Sequence, residues 1–553
     1  MKQYIYYLAL TMLVPGSATS QAQVPHDKLP VDKPVAGAVL ESTRLFRERL
    51  LSDPFRPAYH FVVPEDVAVP GDPNGAFYHN GRYHLMYLYK REASGFSWGH
   101  VSSKDLVHWR HHPDALLPGN GDDGVFSGGA FVDKNGKATL TYWEFINESD
   151  KVDFSKRKTG ISIAESNDEH FDHWTKSSVN PVIRSTEWGI TQEKDKDGNP
   201  VIYGSADPSN IWMNNGKYYM LTGNLLVLNK YGRKPDSEPR YQGDHAYLFE
   251  SSDMKKWTYK HEFYKSDRKW TDASEDNMCA SFMPLPSSAN GGAFSGKHLL
   301  LFISHNKGCQ YYVGTYKDDK FNPENHGRMT WTDNAYFAPE ALIDDKGRQI
   351  MWSWVFDDRP DSLKRHYGYT GIYGLPRTLW AAKDGTLRMA PIPELQQLRQ
   401  EVKTKKSISL KNNTEVSLDE FGKELLELEI TIRPGTAKQV GVKTGVSEDG
   451  REETVMYYDA EQKKLVFDGT KSSIDLGRRN VEAAPFELEK GGLLVLRVFV
   501  DRSIVEVFAN DKQAIGRSVY PRLGGRGIRL FSKDGDANVV SVKAWELMPS
   551  NPY

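Results

Sequence analysis

The sequence predicts an all-β protein, a five-bladed β-propeller followed by a C-terminal β-sandwich. Three observations predict it: a repeat that opens on an acid, hairpin signals inside each copy, and a change of strand rhythm near residue 395. At a uniform offset of 135 residues, Asp72, Pro73, Asn80, Gly81 and Tyr83 recur as Asp207, Pro208, Asn215, Gly216 and Tyr218. Looser copies of the same order, apolar strand, turn residues and second strand, start at Phe126, Phe282 and Phe337. Asn-Gly between aromatic and β-branched runs is a two-residue hairpin signal, because the favoured turns need positive φ. Hairpin units repeated at this length are the one-dimensional trace of a radial β-architecture.

In such a fold the first strand of each blade lines the central channel. The acid that opens the first and third copies, Asp72 and Asp207, is therefore expected to look into one shared pit. Asp-Pro also starts ordinary turns, but a turn has no need of the same acid twice in register. The propeller is assigned to residues 23–395. Beyond it, "PIPELQQLRQEV" is a short polar helix candidate, and alternating runs such as "ELLELEITI" and "LLVLRVFVDRSIVEVFAND" predict the sandwich, residues 396–553. Its expected role is to pack against the propeller.

The N-terminus, with Lys2, an apolar run from Tyr4 to Val14 and small residues through Ala22, has the layout of a secretory leader, residues 1–22. The mature protein is expected to be secreted or periplasmic. No later stretch approaches a membrane span. A net charge of -2 offers no footprint for nucleic acid. The two cysteines, Cys279 and Cys309, form at most one bridge and are as readily two buried thiols. No metal or other cofactor is implied; the stretch "DKDGN" at 195–199 lacks the remaining ligands of a calcium loop and reads as a turn.

Acids converging on a cavity in a protein rich in tryptophan and tyrosine point to a carbohydrate substrate and to glycoside hydrolysis. That reaction needs one carboxylate to attack or to hold a water, and one carboxylic acid to protonate the leaving oxygen. Asp72 and Asp207 supply two groups. A third is expected from "WTDASEDNMCASFMPLP", where Glu275 and Asp276 are neighbours; of these Glu275 is assigned as the acid, raised in pKa by the crowding of like charge.

These motifs resemble glycoside hydrolase family 32, the β-fructofuranosidases such as invertase, inulinase and levanase. The family's Arg-Pro-x-Tyr-His-Phe stands at residues 56–61, its Asp-Pro-Asn-Gly at 72–75, its Trp-Gly-His and Asp-Leu-Val-His-Trp within 98–109, and its Phe-Ser-Gly at 126–128. The stretches "LPRTLWAAKDGTLRMAPIPELQQLR" and "LRVFVDRSIVEVFAND" are similar to the close of its propeller and to its sandwich signature. The resemblance implies a retaining double displacement on terminal β-fructofuranosyl residues of sucrose or fructans such as inulin and levan. Asp72 is then the nucleophile, Glu275 the acid and then base, and Asp207 the group that holds sugar hydroxyls. Trp98 and Phe126 would wall the furanose site, with Asn74 and Ser127 bonding its hydroxyls.

The departures are equally legible. Val69, Pro70 and Gly71 replace Trp-Met-Asn, Leu88 replaces a glutamine, and Ala206 replaces the arginine of Arg-Asp-Pro. In the family's Glu-Cys-Pro-Asp the Glu directly precedes the Cys, whereas here Glu275 stands three residues further from Cys279. Lost hydrogen-bonding groups change the ligand a site accepts. Two other readings follow: a furanosidase of shifted specificity, for example on arabinofuranosides, or a catalytically weak carbohydrate-binding propeller.

Overall fold

The computed structural model describes residues 34–64, 68–91, 95–147, 151–195 and 197–551; the expected leader, 1–22, lies outside them. The described residues from 34 to 49 fall in a small unit that carries most of an α-helix, Gly37–Ser52, which the sequence reading did not single out. The larger unit runs from Leu50 to the C-terminus.

In the larger unit, five antiparallel sheets follow one another along the chain. Blade I is a four-stranded meander, Pro73–His79, Arg82–Arg91, Gly95–Ser103 and Trp109–Leu116. Its first turn holds Asn80 at φ 45° and Gly81 at φ 79°, the doubly left-handed pair the Asn-Gly signal demands. Asn215 and Gly216 repeat it in blade III at 49° and 75°, between Trp212–Asn214 and Lys217–Gly223. Blade II is built on Ala130–Val132, Ala138–Phe145 and Gly160–Ser166; blade IV starts with Met278–Ser288 and Gly291–Ser304; blade V starts with Tyr336–Ile343 and Gln349–Val355. A two-stranded ribbon, Ile190–Lys194 with Pro200–Gly204, is inserted before blade III, and Asp195 forms the turn at its tip.

Hydrogen bonds near the inner edges of the blades cross four of their seams. Gly128 N–H donates to Asn74 Oδ1 at 3.0 Å, joining blade I to II. Thr141 Oγ1 donates to Ser209 O at 2.9 Å, joining II to III. Asn210 exchanges two bonds with the backbone of Phe282, joining III to IV. Ala76 N–H donates to Glu340 Oε1 at 2.8 Å and returns from blade V to blade I. Apolar layers fill the gaps between blades: Phe77, Met86, Leu88, Trp98 and Leu140 between I and II, and Leu221, Leu248, Phe263, Phe282 and Phe302 between III and IV. Each such side chain, fully buried, contributes about 1.5–3 kcal/mol.

The sandwich follows as two six-stranded sheets. In Leu425–Arg433, Leu426, Leu428, Ile430 and Ile432 alternate inward onto the facing sheet, the period of two that predicted the strand. The expected helix between the domains is a short 3-10 helix, Pro393–Leu398, because the strand Arg399–Leu410 begins at once.

The sandwich does pack against the propeller, and the motif residues do the joining. Asp501 accepts the backbone N–H groups of Ala58, Tyr59 and His60 at 2.7–2.9 Å and the Nδ1–H of His60 at 2.9 Å. Glu506 accepts from Arg377 Nη2 at 2.9 Å and from Leu375 N–H at 2.7 Å. Three separate sequence signatures are thus one buried joint.

Candidate active site

Three blades deliver acids and a thiol to one point of the channel. Asp72 stands directly before the first strand of blade I, its carbonyl accepting from Leu88 N–H and Asn74 Nδ2, both at 2.9 Å. Asp207 stands in the turn that leads into blade III, at a left-handed φ of 42°. Cys279, second residue of the first strand of blade IV, is also left-handed, at φ 49°, and a register shift follows it. Its Sγ lies 3.8 Å from Asp72 Oδ2 and 3.9 Å from Asp207 Oδ2. The repeat that predicted a shared pit for the two acids is met by geometry.

Both carboxylates are 5–6% exposed, and Oδ1 of each is buried without a protein partner. Buried polar atoms in folded proteins are nearly always paired, so two such oxygens side by side mark a place made for a polar ligand. Burial raises the pKa of Asp72, and the Ser127 hydroxyl, donating to Asp72 Oδ2 at 2.5 Å, together with the charge of His305, holds it back. Burial and then the neighbouring Asp72 charge push Asp207 up to about 8. At neutral pH Asp207 therefore carries a proton, the division expected when two acids share a small volume.

Glu275 departs from its expected role. Arg328 pairs with both its oxygens, Nη1 at 2.8 Å from Oε2 and Nη2 at 2.9 Å from Oε1, while Gln310 Nε2 and Asp272 N–H each donate to it at 3.0 Å. Burial raises its pKa, but these donors outweigh it and hold Glu275 below the ordinary range, the reverse of a raised proton donor. The charge acting on Asp72 is that of His305, and those acting on Asp207 are Asp72 and His305; Glu275 is not among them.

Its neighbour Asp276 faces elsewhere. Asp276 Oδ2 accepts Nδ1–H of His305 at 2.9 Å and its Oδ1 accepts the His305 backbone N–H at 3.0 Å. The pair spans the channel end of the first hairpin of blade IV, where Met278 is paired with Ile303 and Ser304 Oγ donates to the carbonyl of Asp276 at 2.6 Å. Burial lowers the pKa of His305, and Asp276, Asp207 and Asp72 together raise it above its ordinary value.

The expected sugar-binding residues divide. Ser127 reaches the site, but its hydroxyl serves Asp72. Asn74 spends its amide on the backbone of Asp72 and Gly128, so it shapes the nucleophile's turn and is not offered to a ligand. Trp98 does not wall the pit: it is 0% exposed in the apolar layer between blades I and II. Phe126 is half-buried, stacked on Phe145 and meeting Phe96 and Trp143 at steep angles, the last 4.7 Å from Trp188. Both thiols are free. Sequence reasoning missed His305 because no repeat or motif flags a histidine whose partner is 29 residues away.

A family model described as "Glycosyl hydrolases family 32 N-terminal domain" matches residues 60–391, and "Glycosyl hydrolases family 32 C terminal" matches 394–546. The chain belongs to glycosyl hydrolase family 32. It is 27% identical to sucrose-6-phosphate hydrolase of Zymomonas mobilis, over 91% of this chain and 94% of that one. It is 29% identical to levanase of Bacillus subtilis, over 90% of this chain and 72% of that one. Fructan 1-exohydrolase IIa from Cichorium intybus has the same fold, with a TM-score of 0.75 at 22% identity, over 90% of this chain and 98% of that one.

In this family-32 chain the residue directly before Cys279 is Met278, 1% exposed in the main apolar core. The place where the family's Glu-Cys-Pro-Asp carries its acid thus holds no titratable group, and the nearest glutamate upstream, Glu275, is locked to Arg328.

Proposed function

We propose that this family-32 glycoside hydrolase releases terminal β-fructofuranosyl residues from sucrose or fructans by double displacement, outside the cytoplasm. The observation that carries the reading is the meeting of Asp72 and Asp207 at one sulfur, each with a carboxylate oxygen free of protein partners. The activities for which the relatives are named, on sucrose 6-phosphate and levan, and the leader-like N-terminus support it.

Asp72, the more ionised of the two, attacks the anomeric carbon through the oxygen that Ser127 leaves free. The glycosyl–oxygen bond breaks and a covalent fructosyl ester forms on Asp72. Asp207, protonated, donates to a ring hydroxyl and accepts from another, bonds that tighten as charge develops on the sugar. Water then attacks the same carbon and Asp72 leaves. Ala206, in place of an arginine, removes a fork of donors beside Asp207 and loosens what is demanded of the sugar's far side.

The test is a screen of purified protein on sucrose, inulin, levan and aryl arabinofuranosides, with the released sugar identified. Fructose from any of the first three supports the reading. Cleavage of arabinofuranosides alone, or sugar binding with no cleavage, overturns it.

A further inference from the structure

The departure of the leaving group demands a proton, and the structure withholds it from the expected donor. Glu275 has four donors on two oxygens and sits below the ordinary carboxylate range. Asp207 holds a proton, but it shares the Cys279 sulfur with Asp72 on the floor of the pit. In a displacement the leaving oxygen departs on the side of the carbon away from the attacking atom, so a floor acid beside the nucleophile stands on the wrong face.

His305 lies close enough for its charge to act on both floor acids, and it is far more open than they are. Its side chain is 43% exposed, where the floor acids are 5–6% exposed as residues. Asp276, fully buried, holds it from behind by two bonds, one to the ring Nδ1–H and one to its backbone N–H. Asn334 Nδ2 ties down its carbonyl at 2.9 Å, and the ring of Phe337 meets it edge-on at 5.6 Å. Among the described residues no group hydrogen-bonds the ring's other nitrogen, and the side chain is 43% exposed. A carboxylate that fixes the tautomer and orientation of an imidazole is a recurrent way to make a proton shuttle.

We propose that His305, oriented by Asp276, is the general acid and then base of this enzyme, in place of the family's glutamate. The proposal rests on the fructosidase reading above. In the first step His305 Nε2–H gives its proton to the glycosidic oxygen as that bond breaks and Asp72 bonds to the anomeric carbon; the imidazole is left neutral. In the second, neutral Nε2 takes a proton from the attacking water as the water oxygen bonds to carbon and Asp72 is released. The proton is returned and the cycle balances. Asp276 acts through His305 and is a positioning residue. The charged groups around His305 are Asp276 behind it, Asp72 and Asp207 within range of its charge, and Arg233, whose Nη2 lies 3.9 Å from Asp276 Oδ1.

The experiment compares sucrose, whose leaving group must be protonated, with p-nitrophenyl β-fructofuranoside, whose leaving phenolate need not be. His305→Gln is expected to lose about 10²–10⁴-fold in kcat/KM on sucrose and to keep kcat/KM on the aryl substrate within about tenfold of wild type, while kcat falls on both because water attack on the shared ester has lost its base. Asp276→Asn is expected to move the alkaline limb of kcat/KM on sucrose to lower pH, because the imidazolium loses its carboxylate. If that limb belonged to Asp207 it would move to higher pH, since weaker positive charge at His305 raises Asp207. Full sucrose turnover in His305→Gln, equal loss of kcat/KM on both substrates in a folded variant, or a leaving-group-selective loss of kcat/KM in Glu275→Gln each overturns the assignment. Should His305→Gln fail to fold, the direction of the Asp276→Asn shift decides. Wild-type protein inert on both fructosides would instead bring down the fructosidase reading itself.

Discussion

Arg328 grips Glu275 in a two-pronged ion pair, with side chains 13% and 2% exposed. A buried charge left alone is costly, so Arg328→Met is expected to destabilise the fold by about 3–5 kcal/mol, and Glu275→Gln in the same chain to recover part of the loss. Denaturant melts of the single and double variants check this. The folded pKa of Glu275 lies below its unfolded value, so its contribution is present above about pH 4.3 and disappears as pH falls through the folded value. Equal stability of Arg328→Met and wild type near neutrality would contradict the pairing.

Asp207 has the opposite linkage. Its folded pKa, about 8, stands above that of the unfolded chain. The native state then binds more protons than the unfolded one between about pH 4 and about 8, and stability drains away as pH rises through that window. Asp207→Asn removes the dependence. Its melting temperature relative to wild type is expected to climb with pH across the window and level off above it.

Asp72→Asn keeps the shape of the side chain and removes the nucleophile. Turnover on a cleaved fructoside is expected to fall by about four orders of magnitude or more, with melting temperature unchanged or higher because a buried charge is gone. Ser127→Ala takes a hydroxyl donor from the Asp72 carboxylate and is expected to move the acid limb of the rate profile to higher pH.

Asp501→Ala strips the acceptor from three backbone N–H groups and from His60. The expected cost is about 3–5 kcal/mol, read by thermal melting, with kcat near wild type at temperatures where the fold survives. Loss of kcat in a fully folded variant would assign the joint a role in the chemistry.

Trp98→Ala leaves a cavity between blades I and II and is expected to cost about 3–5 kcal/mol without changing KM relative to other core variants. A KM effect confined to Trp98 would return it to the wall of the sugar site.

The sequence by itself determined the ring and two of its acids. Turn chemistry and strand periodicity are local, each set by φ preferences or by the alternation of neighbouring side chains, so Asn80-Gly81, Asn215-Gly216 and the run at Leu425–Arg433 can be read in one dimension. A repeat carries topology as well, which is why Asp72 and Asp207 could be placed in one pit. Tertiary structure alone decided what each group does there. Whether a carboxylate is a donor or a structural ion depends on what closes on it from afar: Arg328 reaches Glu275 across 53 residues and Cys279 reaches Asp72 across 207. Charge, burial and orientation are properties of the space around a residue, and that space is assembled from strands that no single stretch of sequence contains.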